Sequence, residues 1–387
     1  MNVYIIGVGP GNGRYLIKES EEKIENADII IGAKRLIKPY CNKKTFAAIT
    51  PFDIISIIKS NNQCENIAVL MSGDASFYSG TKKLVLELEK EKIKYNILPG
   101  ISSVSYMSAK TGVPLDEAGF LSLHGRKMSI MGTILSSRYT YILTQSDCGI
   151  ICQRLQKIGF GGFKVYIGEN LSLENEKITC DYAKNLTEYE SCGLCVMLVE
   201  NNEKLIDGIA GIPDENFIRG NVPMTKREIR ASIASRMHVS KNECIYDIGA
   251  GTGSVSIELA LADYMGTVYA IEENEEACAL IKENSDKFGT DNIQIVNGRA
   301  QEKINELPAP DSVFIGGSKG MLKDIIDQLI RKNPSVHIVM TAVTMETYLE
   351  INFQKVETVC IAVTNVVKRG RYHMPDVQNP IFIIDAR

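Results

Sequence analysis

The sequence predicts an α/β protein of two parts, an N-terminal part with two α/β subdomains and a C-terminal part with a doubly wound sheet. The chain has 387 residues, which is more than one hydrophobic core usually organises. Short apolar runs alternate with helical patterns along both halves, as in strands crossed by helices. Strand periodicity is lost in the polar stretch 201–216, so we predict domains at 1–205 and 206–387.

Strands of the first half are predicted at "VYIIGVG", "ADIIIGA", "NIAVLMSGD" and "YNILPG", with helices over 14–26 and 80–92. This order favours a parallel or mixed sheet. From about residue 113 the pattern begins again, with "FLSLHGR", "YTYILT", "KVYIGEN" and "CVMLVE". The restart predicts a second subdomain.

Helices of the second half are predicted over 225–237, 253–262, 275–288 and 320–331. Strands are predicted at "CIYDIGAG", "TVYAIEEN", "IQIVNG", "SVFIGGS" and "HIVMTAV". A last pair, "VCIAVTNVVKRG" and "NPIFIIDA", predicts a late antiparallel hairpin on an otherwise parallel, doubly wound sheet.

Charge and composition predict a soluble, cytoplasmic protein. The net charge is −4, and the two halves carry 24 basic against 22 acidic and 19 basic against 25 acidic residues. Neither half has the basic excess of a general nucleic-acid binder. No leader or apolar run of membrane-spanning length is evident. The close pair Cys192 and Cys195 lacks a second pair nearby, so no metal site is predicted.

A glycine-rich loop follows the first strand of the second half. In "DIGAGTG", Gly249, Gly251 and Gly253 stand between a strand and a helix, where backbone amides can approach a ligand. The next strand ends at Glu272, whose carboxylate can accept two ribose hydroxyls, and the third ends at "GRA", 298–300, which suits an adenine edge. This ordered set is similar to class I S-adenosylmethionine methyltransferases, which implies a Rossmann-like fold. Binding of NAD is the weaker alternative, since the spacing is GxGxG rather than GxGxxG.

Further motifs narrow this resemblance. Enzymes that methylate amines of nucleic acids or proteins often have an Asn/Asp-Pro-Pro-aromatic motif after the fourth strand, where this chain has "DSVFIGGSKG". With "IPDENFIRGNVPMTKREIR", "TAVTMET" and the late "KRGR", residues 210–387 resemble the decarboxylating precorrin C15-methyltransferases of corrin synthesis. An RNA methyltransferase remains an alternative, although the missing motif and the charge of −6 in this half count against it.

The N-terminal glycine loop is of a different kind. "GVGPG" at 7–11 is followed by no acid at ribose spacing, but by "SGDASFYSG", "LPGISSVSYMSAKTGVPL" and "SLHGRK". This series resembles the tetrapyrrole methylases over about residues 1–200, and "SLHGR" resembles their precorrin C5-methyltransferase branch. The resemblance implies a two-subdomain fold with S-adenosylmethionine in a cleft. The two glycine loops therefore belong to two unrelated folds.

The joined halves resemble the bifunctional C5,15-methyltransferases of cobalamin biosynthesis. The resemblance implies one S-adenosylmethionine site per domain, methylation of a corrin precursor at C5 and C15, and loss of the C12 acetate carboxylate as carbon dioxide. The cofactor-binding residues that it implies are Pro10, Gly73, Asp74, Ala75, Ser102 and Ser103 in the first domain, and Thr225, Gly249, Ala250, Gly251, Thr252, Gly253, Glu272 and Ala300 in the second.

A corrin precursor is fringed with carboxylates, which arginine binds with two hydrogen bonds. The predicted substrate-binding residues are His124, Arg126, Arg219, Lys319, Arg369 and Arg371. No catalytic residue is predicted, because methyl transfer from a sulfonium to carbon needs positioning more than an activated side chain.

Several alternatives stay open at this point. Cobalt-precorrins are the expected substrates, with metal-free precorrin-6Y as the alternative. A protein that senses S-adenosylmethionine without transferring methyl groups is a further alternative, which the intact glycine loops and Glu272 count against. We expect a homo-oligomer that binds neither nucleic acid nor membrane.

Overall fold

The computed structural model describes residues 1–123, 129–144, 147–191, 193–203, 210–344 and 356–386. The chain divides into two compact units. Unit 1 takes its residues from 1–125, 139–152 and 163–200, and unit 2 takes its residues from 126–138, 153–162 and 201–387. Each unit has its own sheets and its own hydrophobic cores.

The strands of unit 1 are β1 (Asn2–Gly7), β2 (Ile29–Gly32), β3 (Thr45–Ala47), β4 (Asn66–Met71), β5 (Tyr95–Leu98), β6 (Ala118–Ser122), β7 (Tyr139–Thr144), β8 (Lys164–Glu169), β9 (Lys177–Tyr182) and β10 (Cys195–Glu200). Its helices are α1 (Lys18–Glu25), α2 (Lys34–Ile37), α3 (Pro51–Ser60), α4 (Thr81–Lys90) and α5 (Ser103–Thr111). Short 3₁₀ helices lie at Gly13–Tyr15, Lys38–Tyr40 and Ala183–Asn185.

Two five-stranded sheets form unit 1. The first has the order β3-β2-β4-β1-β5 and is parallel throughout. The second has the order β6-β7-β10-β8-β9, with one parallel pair, β6 and β7, among antiparallel pairs. The two predicted subdomains of the first half are thus present, one for each sheet.

Alternate residues of the central strand β1 explain how both faces of the first sheet are covered. Val3 and Ile5 pack with α3 and α4 on one face, while Ile6 packs with Ile24 of α1 on the other. The strand is therefore apolar almost throughout, as expected for a parallel strand buried on both sides.

The strands of unit 2 are β11 (Cys244–Ile248), β12 (Thr267–Glu272), β13 (Ile293–Asn297), β14 (Ser312–Ile315), β15 (His337–Ala342), β16 (Val356–Ile361), β17 (Thr364–Arg369), β18 (Tyr372–Val377) and β19 (Ile381–Ala386). Its helices include α6 (Ile130–Ser136), α8 (Arg227–Met237), α9 (Ser254–Ala262), α10 (Glu275–Phe288), α11 (Ala300–Lys303) and α12 (Leu322–Lys332), while α7 (Cys148–Lys157) begins in unit 1 and ends in unit 2. Short 3₁₀ helices lie at Asp214–Asn216 and Ile304–Glu306.

A seven-stranded sheet of order β13-β12-β11-β14-β15-β19-β16 forms the centre of unit 2. Its first five strands are parallel, and β19 runs antiparallel between β15 and β16. The predicted late antiparallel element is present. The stretch "VCIAVTNVVKRG" is two strands rather than one, because β17 leaves the sheet and pairs with β18 in a separate, exposed hairpin.

Two segments from the first half of the sequence pack within unit 2, against residues 264–291. In α6, the backbone N–H of Ile130 donates to Asp291 Oδ2 at 2.9 Å. The second segment, 153–162, contributes ion pairs from Arg154 to Asp291 at 2.9 Å and from Lys157 to Asp286 at 2.7 Å. Spatial grouping therefore differs from chain order.

The fold class predicted from the sequence, two α/β subdomains followed by a Rossmann-like domain, is confirmed. None of the helices in the described part of the chain has the length and apolar character needed to cross a membrane.

Candidate cofactor and substrate sites

In unit 1, three loops meet beyond the carboxyl ends of the neighbouring strands β4, β1 and β5. Gly9 and Gly73 exchange backbone hydrogen bonds of 3.1 and 2.9 Å. A Cβ atom on Gly7 would lie 2.8 Å from backbone atoms of Gly73, Ala75 and Gly100. Only glycine lets the three backbones approach this closely. Predicted residues Gly73 and Ala75 lie in this contact, and the half-buried Pro10 follows Gly9.

Asp74 holds the second and third of these loops together. Its carboxylate accepts the backbone N–H of Ser76 at 2.6 Å and that of Gly100 at 3.1 Å. Burial alone would raise the pKa of Asp74, but hydrogen bonds from the side chain and backbone of Ser76 and from the Gly100 amide lower it below its usual range. The carboxylate therefore stays charged and fixes the loop.

The third loop leads into α5, where the other predicted residues of unit 1 lie. The hydroxyl of Ser102 caps this helix by accepting the N–H of Ser105 at 2.9 Å, and Ser103 is its first residue. A Cβ atom on Gly73 would lie 3.8 Å from Ser102 Cα. The structure thus brings the six predicted cofactor residues of unit 1 to one edge of the sheet.

In unit 2, the loop after β11 has the conformation that its glycines allow. Gly249, Gly251 and Gly253 have φ of +73°, +57° and +76°, a region that residues with a side chain rarely adopt. Gly253 is the N-cap of α9. Ala250 and Thr252, between the glycines, are buried.

Glu272 ties the loop to the end of the next strand. One carboxylate oxygen accepts the N–H of Gly251 at 2.9 Å and the other accepts the N–H of Asn274 at 3.0 Å. The backbone carbonyl of Glu272 accepts the N–H of Gly298 at 2.9 Å, which places the "GRA" turn and Ala300 beside it. Ala300 is buried and begins α11.

Thr225 reaches the same site from the segment before α8. A Cβ atom on Gly251 would lie 3.2 Å from the carbonyl oxygen of Pro223, so this segment runs against the glycine loop. Thr225 is half-buried at its end. The predicted cofactor residues of unit 2 are thus neighbours at the carboxyl ends of β11, β12 and β13.

The site of unit 2 has polar side-chain atoms that fit the polar groups of a nucleoside-bearing cofactor. Asp247 Oδ1 and Thr252 Oγ1 are buried side-chain oxygens with no hydrogen-bond partner in the part of the chain that the structure describes, and both lie on or next to the glycine loop. Buried polar atoms normally have partners, so these two have capacity for a ligand. An open cavity of about 480 Å³, lined by Glu273, Asn274, Gly298, Arg299, Glu302 and Lys319, adjoins Glu272.

The predicted substrate-binding cations occupy different places in unit 2. Arg219 pairs with Asp214 at 3.2 Å, and Lys319 pairs with Glu273 beside the cavity. Arg369 pairs with Asp376 at 3.4 Å in the exposed hairpin, and Arg371 stacks on Tyr372 at its turn. The structure does not bring these four into one cluster of contacts. His124 and Arg126 lie outside the described residues.

Asp247 is a residue that sequence analysis missed, although a carboxylate inside the apolar run "CIYDIGAG" was a visible signal. Burial raises the pKa of Asp247 to about 7 from 3.8, a hydrogen bond from Ser256 (2.5 Å) opposes the rise, and the charge of Glu272 adds to it. Between about pH 4 and pH 7, Asp247 is therefore protonated in the folded protein but ionised in the unfolded chain.

We expect Asp247→Asn to remove this pH dependence. The wild type loses stability as pH rises through that window, by up to about 1.4 kcal/mol for each pH unit. The measurement is the melting temperature of both proteins without cofactor at pH 4.5 and at pH 7.5. The melting temperature of the variant minus that of the wild type should be larger at pH 7.5 than at pH 4.5. Parallel curves for the two proteins would contradict the titration of Asp247.

The doubly wound sheet of unit 2 has a GxGxG loop that is hydrogen-bonded to the carboxylate at the end of the next strand. Unit 1 has a second glycine-lined site. These features together define an S-adenosylmethionine-dependent methyltransferase. Comparison with known proteins gives the family. The family model "Tetrapyrrole (Corrin/Porphyrin) Methylases" matches residues 2–187, and the model "Precorrin methyltransferase domain" matches residues 216–366.

Named relatives agree with both matches. A Sinorhizobium precorrin-6Y C(5,15)-methyltransferase [decarboxylating] is 28% identical over 84% of this chain and 81% of its own length. A probable cobalt-precorrin-6B C(15)-methyltransferase (decarboxylating) of Pyrobaculum calidifontis is 37% identical over 46% of this chain and 95% of its own length. The crystal structure of precorrin-6y C5,15-methyltransferase from Geobacter metallireducens is 35% identical over 46% of this chain and 96% of that one, with a TM-score of 0.42.

The chain belongs to the precorrin methyltransferases of cobalamin biosynthesis, with a tetrapyrrole methylase in its first half and a precorrin methyltransferase domain in its second. Methyltransferases of this family use S-adenosylmethionine. The resemblance stated from the sequence is confirmed.

Proposed function

We propose that this chain carries out two methyl transfers to one corrin precursor, each domain with its own S-adenosylmethionine. Residues 1–205 methylate C5, and residues 206–387 methylate C15 and release the C12 acetate carboxylate as carbon dioxide. The observation that carries the proposal is the presence of two separate glycine-lined sites, around Gly7 and around Gly249, one in each unit. The name of the Sinorhizobium relative, which aligns with both halves, supports it.

In these transfers the chain positions the cofactor and the substrate and does not supply reactive side chains. S-adenosylmethionine supplies an activated methyl group on a sulfonium. The loops around Gly7 and Gly249 hold the cofactor by backbone contacts, and Glu272 orients the ribose. Good orientation of two reactants can lower a barrier by about 7 to 11 kcal/mol. Conjugation of the corrin ring can accept the electrons released on decarboxylation, so no residue is assigned as their sink.

Cations of the chain bind the carboxylates of the ring. Arg219, Lys319 and Arg369 are more than two-fifths exposed, and each pairs with a carboxylate of the chain itself. Such exposed ion pairs contribute little to stability, about 0 to 1 kcal/mol each. They can therefore be exchanged for carboxylates of a substrate at low cost. His124, Arg126 and Arg371 complete the proposed substrate contacts.

We propose that the substrates are cobalt-precorrins, namely cobalt-precorrin-7 for methylation at C5 and cobalt-precorrin-6B for methylation at C15. Metal-free precorrin-6Y is the alternative substrate. The printed name of the Pyrobaculum relative and the ten cysteines of the chain, which suit a reducing cell, support the cobalt form.

We also propose that the protein acts in the cytoplasm as a homo-oligomer. The β17–β18 hairpin supports self-association, because it exposes Val366 and Val377 by more than two-thirds and pairs with no third strand in the described part of the chain. An isolated two-stranded hairpin is only marginally stable in water. A second copy that packs against it would bury this apolar surface.

Mass spectrometry of a corrin precursor after anaerobic incubation with isotope-labelled S-adenosylmethionine tests the function. We expect two labelled methyl groups and the loss of one carbon dioxide, with the cobalt-containing substrate preferred over its metal-free counterpart. One methyl group with the carboxylate retained would limit the activity to residues 1–205. Tight cofactor binding without methyl transfer to either ring would contradict the proposal and favour a protein that senses S-adenosylmethionine. Methyl transfer to RNA would favour an RNA methyltransferase.

A further inference from the structure

A fully buried arginine lies on α8, beside the glycine loop of unit 2. Arg230 is 0% exposed, although its helix neighbours Ile229 and Ile233 form part of the apolar core. A guanidinium keeps its charge at any physiological pH and has five N–H donors to satisfy. Its burial is unfavourable unless every donor finds a partner.

Three hydrogen-bond acceptors of Arg230 lie near the two ends of one segment, residues 211–225, which we call the strap. At the first end, the guanidinium donates to the carbonyl of Ile212 and to Asp214 Oδ1, the latter at 2.8 Å. At the last end it donates to the carbonyl of Thr225. Its Cζ atom lies over the ring of Phe217, 4.7 Å from the ring centroid. One side chain therefore fixes the distance between the two ends of the strap.

Glu258 of α9 completes this arrangement. It is 1% exposed and accepts Arg230 Nε at 2.8 Å. Its two oxygens also accept the N–H groups of Gly211 at 2.9 Å and Ile212 at 3.0 Å. The buried pair thus joins the strap to α8 and to α9, whose N-terminus is the glycine loop.

The middle of the strap is tied directly to the glycine loop. Asn284 of α10 is 0% exposed, accepts the N–H of Ile218 at 2.7 Å and donates to its carbonyl at 3.0 Å. The same amide donates to the carbonyl of Thr252 at 3.1 Å. Since the carbonyl of Pro223 also packs against Gly251, movement of the strap would move one wall of the cofactor site.

We propose that Arg230 is a positioning residue for the cofactor of unit 2. By joining the two ends of the strap to Glu258, it sets the place of Thr225 and Pro223 against the glycine loop, and thereby sets the affinity for S-adenosylmethionine without touching it. The proposal rests on the proposed second cofactor site. A buried ion pair that served stability alone would affect unfolding but not cofactor binding.

The test compares Arg230→Lys with Arg236→Lys in the full chain. Lysine keeps the charge but its single ammonium cannot reach both strap ends and Glu258. Arg236 lies on the same helix, pairs with Glu357 at 3.1 Å and has no contact with the strap among the described interactions. The release of carbon dioxide, which belongs to the unit 2 reaction, gives KM and kcat. Binding of labelled S-adenosylhomocysteine in equilibrium dialysis gives an independent affinity.

For Arg230→Lys we expect KM for S-adenosylmethionine in the carbon dioxide assay, and one of the two dissociation constants from dialysis, to rise about tenfold. The kcat should change less than about threefold, because the lost hydrogen bonds affect cofactor binding. Arg236→Lys should leave both constants unchanged. Asp214→Ala keeps the pair of Arg230 with Glu258 and removes the contact of Arg230 with the Asp214 side chain. It should give a smaller rise, and it tests the proposal if Arg230→Lys does not fold.

Three results would decide against the proposal or its basis. Affinities within twofold of the wild type in both Arg230→Lys and Asp214→Ala would overturn the positioning role. An equal loss in Arg236→Lys would show a general effect on α8. The wild type could also bind S-adenosylhomocysteine at two sites in dialysis but release no carbon dioxide. If Arg230→Lys then weakened one of these two sites, the result would contradict the proposed function and support the positioning role.

Discussion

Replacement of Gly249 with alanine is expected to abolish the C15 transfer to cobalt-precorrin-6B and the release of carbon dioxide, while the C5 transfer to separately supplied cobalt-precorrin-7 persists. Gly249 has φ of +73°, and a Cβ atom there would lie 2.9 Å from the backbone N and O of Gly317. Either the loop or the residues that follow β14 must shift, which displaces the loop that we propose holds the cofactor. We expect a loss of at least about 3 kcal/mol of cofactor binding, roughly 100-fold in affinity.

Labelled S-adenosylhomocysteine and carbon dioxide release measure this effect in the full chain. Gly317→Ala is the matched control, because a Cβ atom at Gly317 meets no atom of the described residues within 4 Å. Wild-type release of carbon dioxide from Gly249→Ala would show that the cofactor of the C15 reaction does not lie on this loop.

The second large effect is expected from Gly7→Ala, which should abolish the C5 transfer and leave carbon dioxide release intact. A Cβ atom at Gly7 would lie 2.8 Å from backbone atoms of three residues, Gly73, Ala75 and Gly100, and none of these is a flexible side-chain end that could move aside. Since the loops that carry these atoms form the proposed site of unit 1, we expect a loss of roughly 100-fold or more in cofactor affinity.

Mass spectrometry of the labelled product locates the methyl group that is lost. Gly13→Ala, a few residues along the same loop region, has open space at its Cβ position and should behave as the wild type. If Gly7→Ala and Gly249→Ala each lost both transfers with the two substrates supplied separately, the two sites would not act independently.

Local sequence signals predicted the parts of the structure that depend on local backbone conformation. Gly249, Gly251 and Gly253 have positive φ because a strand must turn at once into α9, and only glycine makes that turn without strain. Asn274 and Gly289 cap α10 at its two ends, so the predicted limits of 275–288 agree with the structure. In unit 1, the loops of Gly73 and Ser102 meet because parallel strands end at one edge.

Contacts between distant residues could not be predicted in this way. Arg230 stands in "KREIRASIASRM", a pattern that predicts charged residues on an exposed helix face, and its burial depends on Glu258 and Asp214. The hairpin of β17 and β18 was missed because "RYHMPDV" is polar and contains a proline, Pro375, which a paired central strand would exclude. An exposed two-stranded hairpin tolerates both.

The packing of residues 129–138 and 153–162 within unit 2 has a consequence for synthesis on the ribosome. Their contacts include Asp286 and Asp291, so after residue 162 about 130 further residues must be made before those partners exist. At 5 to 20 residues per second this is a delay of roughly 6 to 26 seconds. The last strand of unit 1, β10, ends at Glu200, so unit 1 can fold during that interval while the two segments stay without their partners. The ion pairs of these segments with Asp286 and Asp291 can therefore form only after α10 has been synthesised, later than the strands of unit 1.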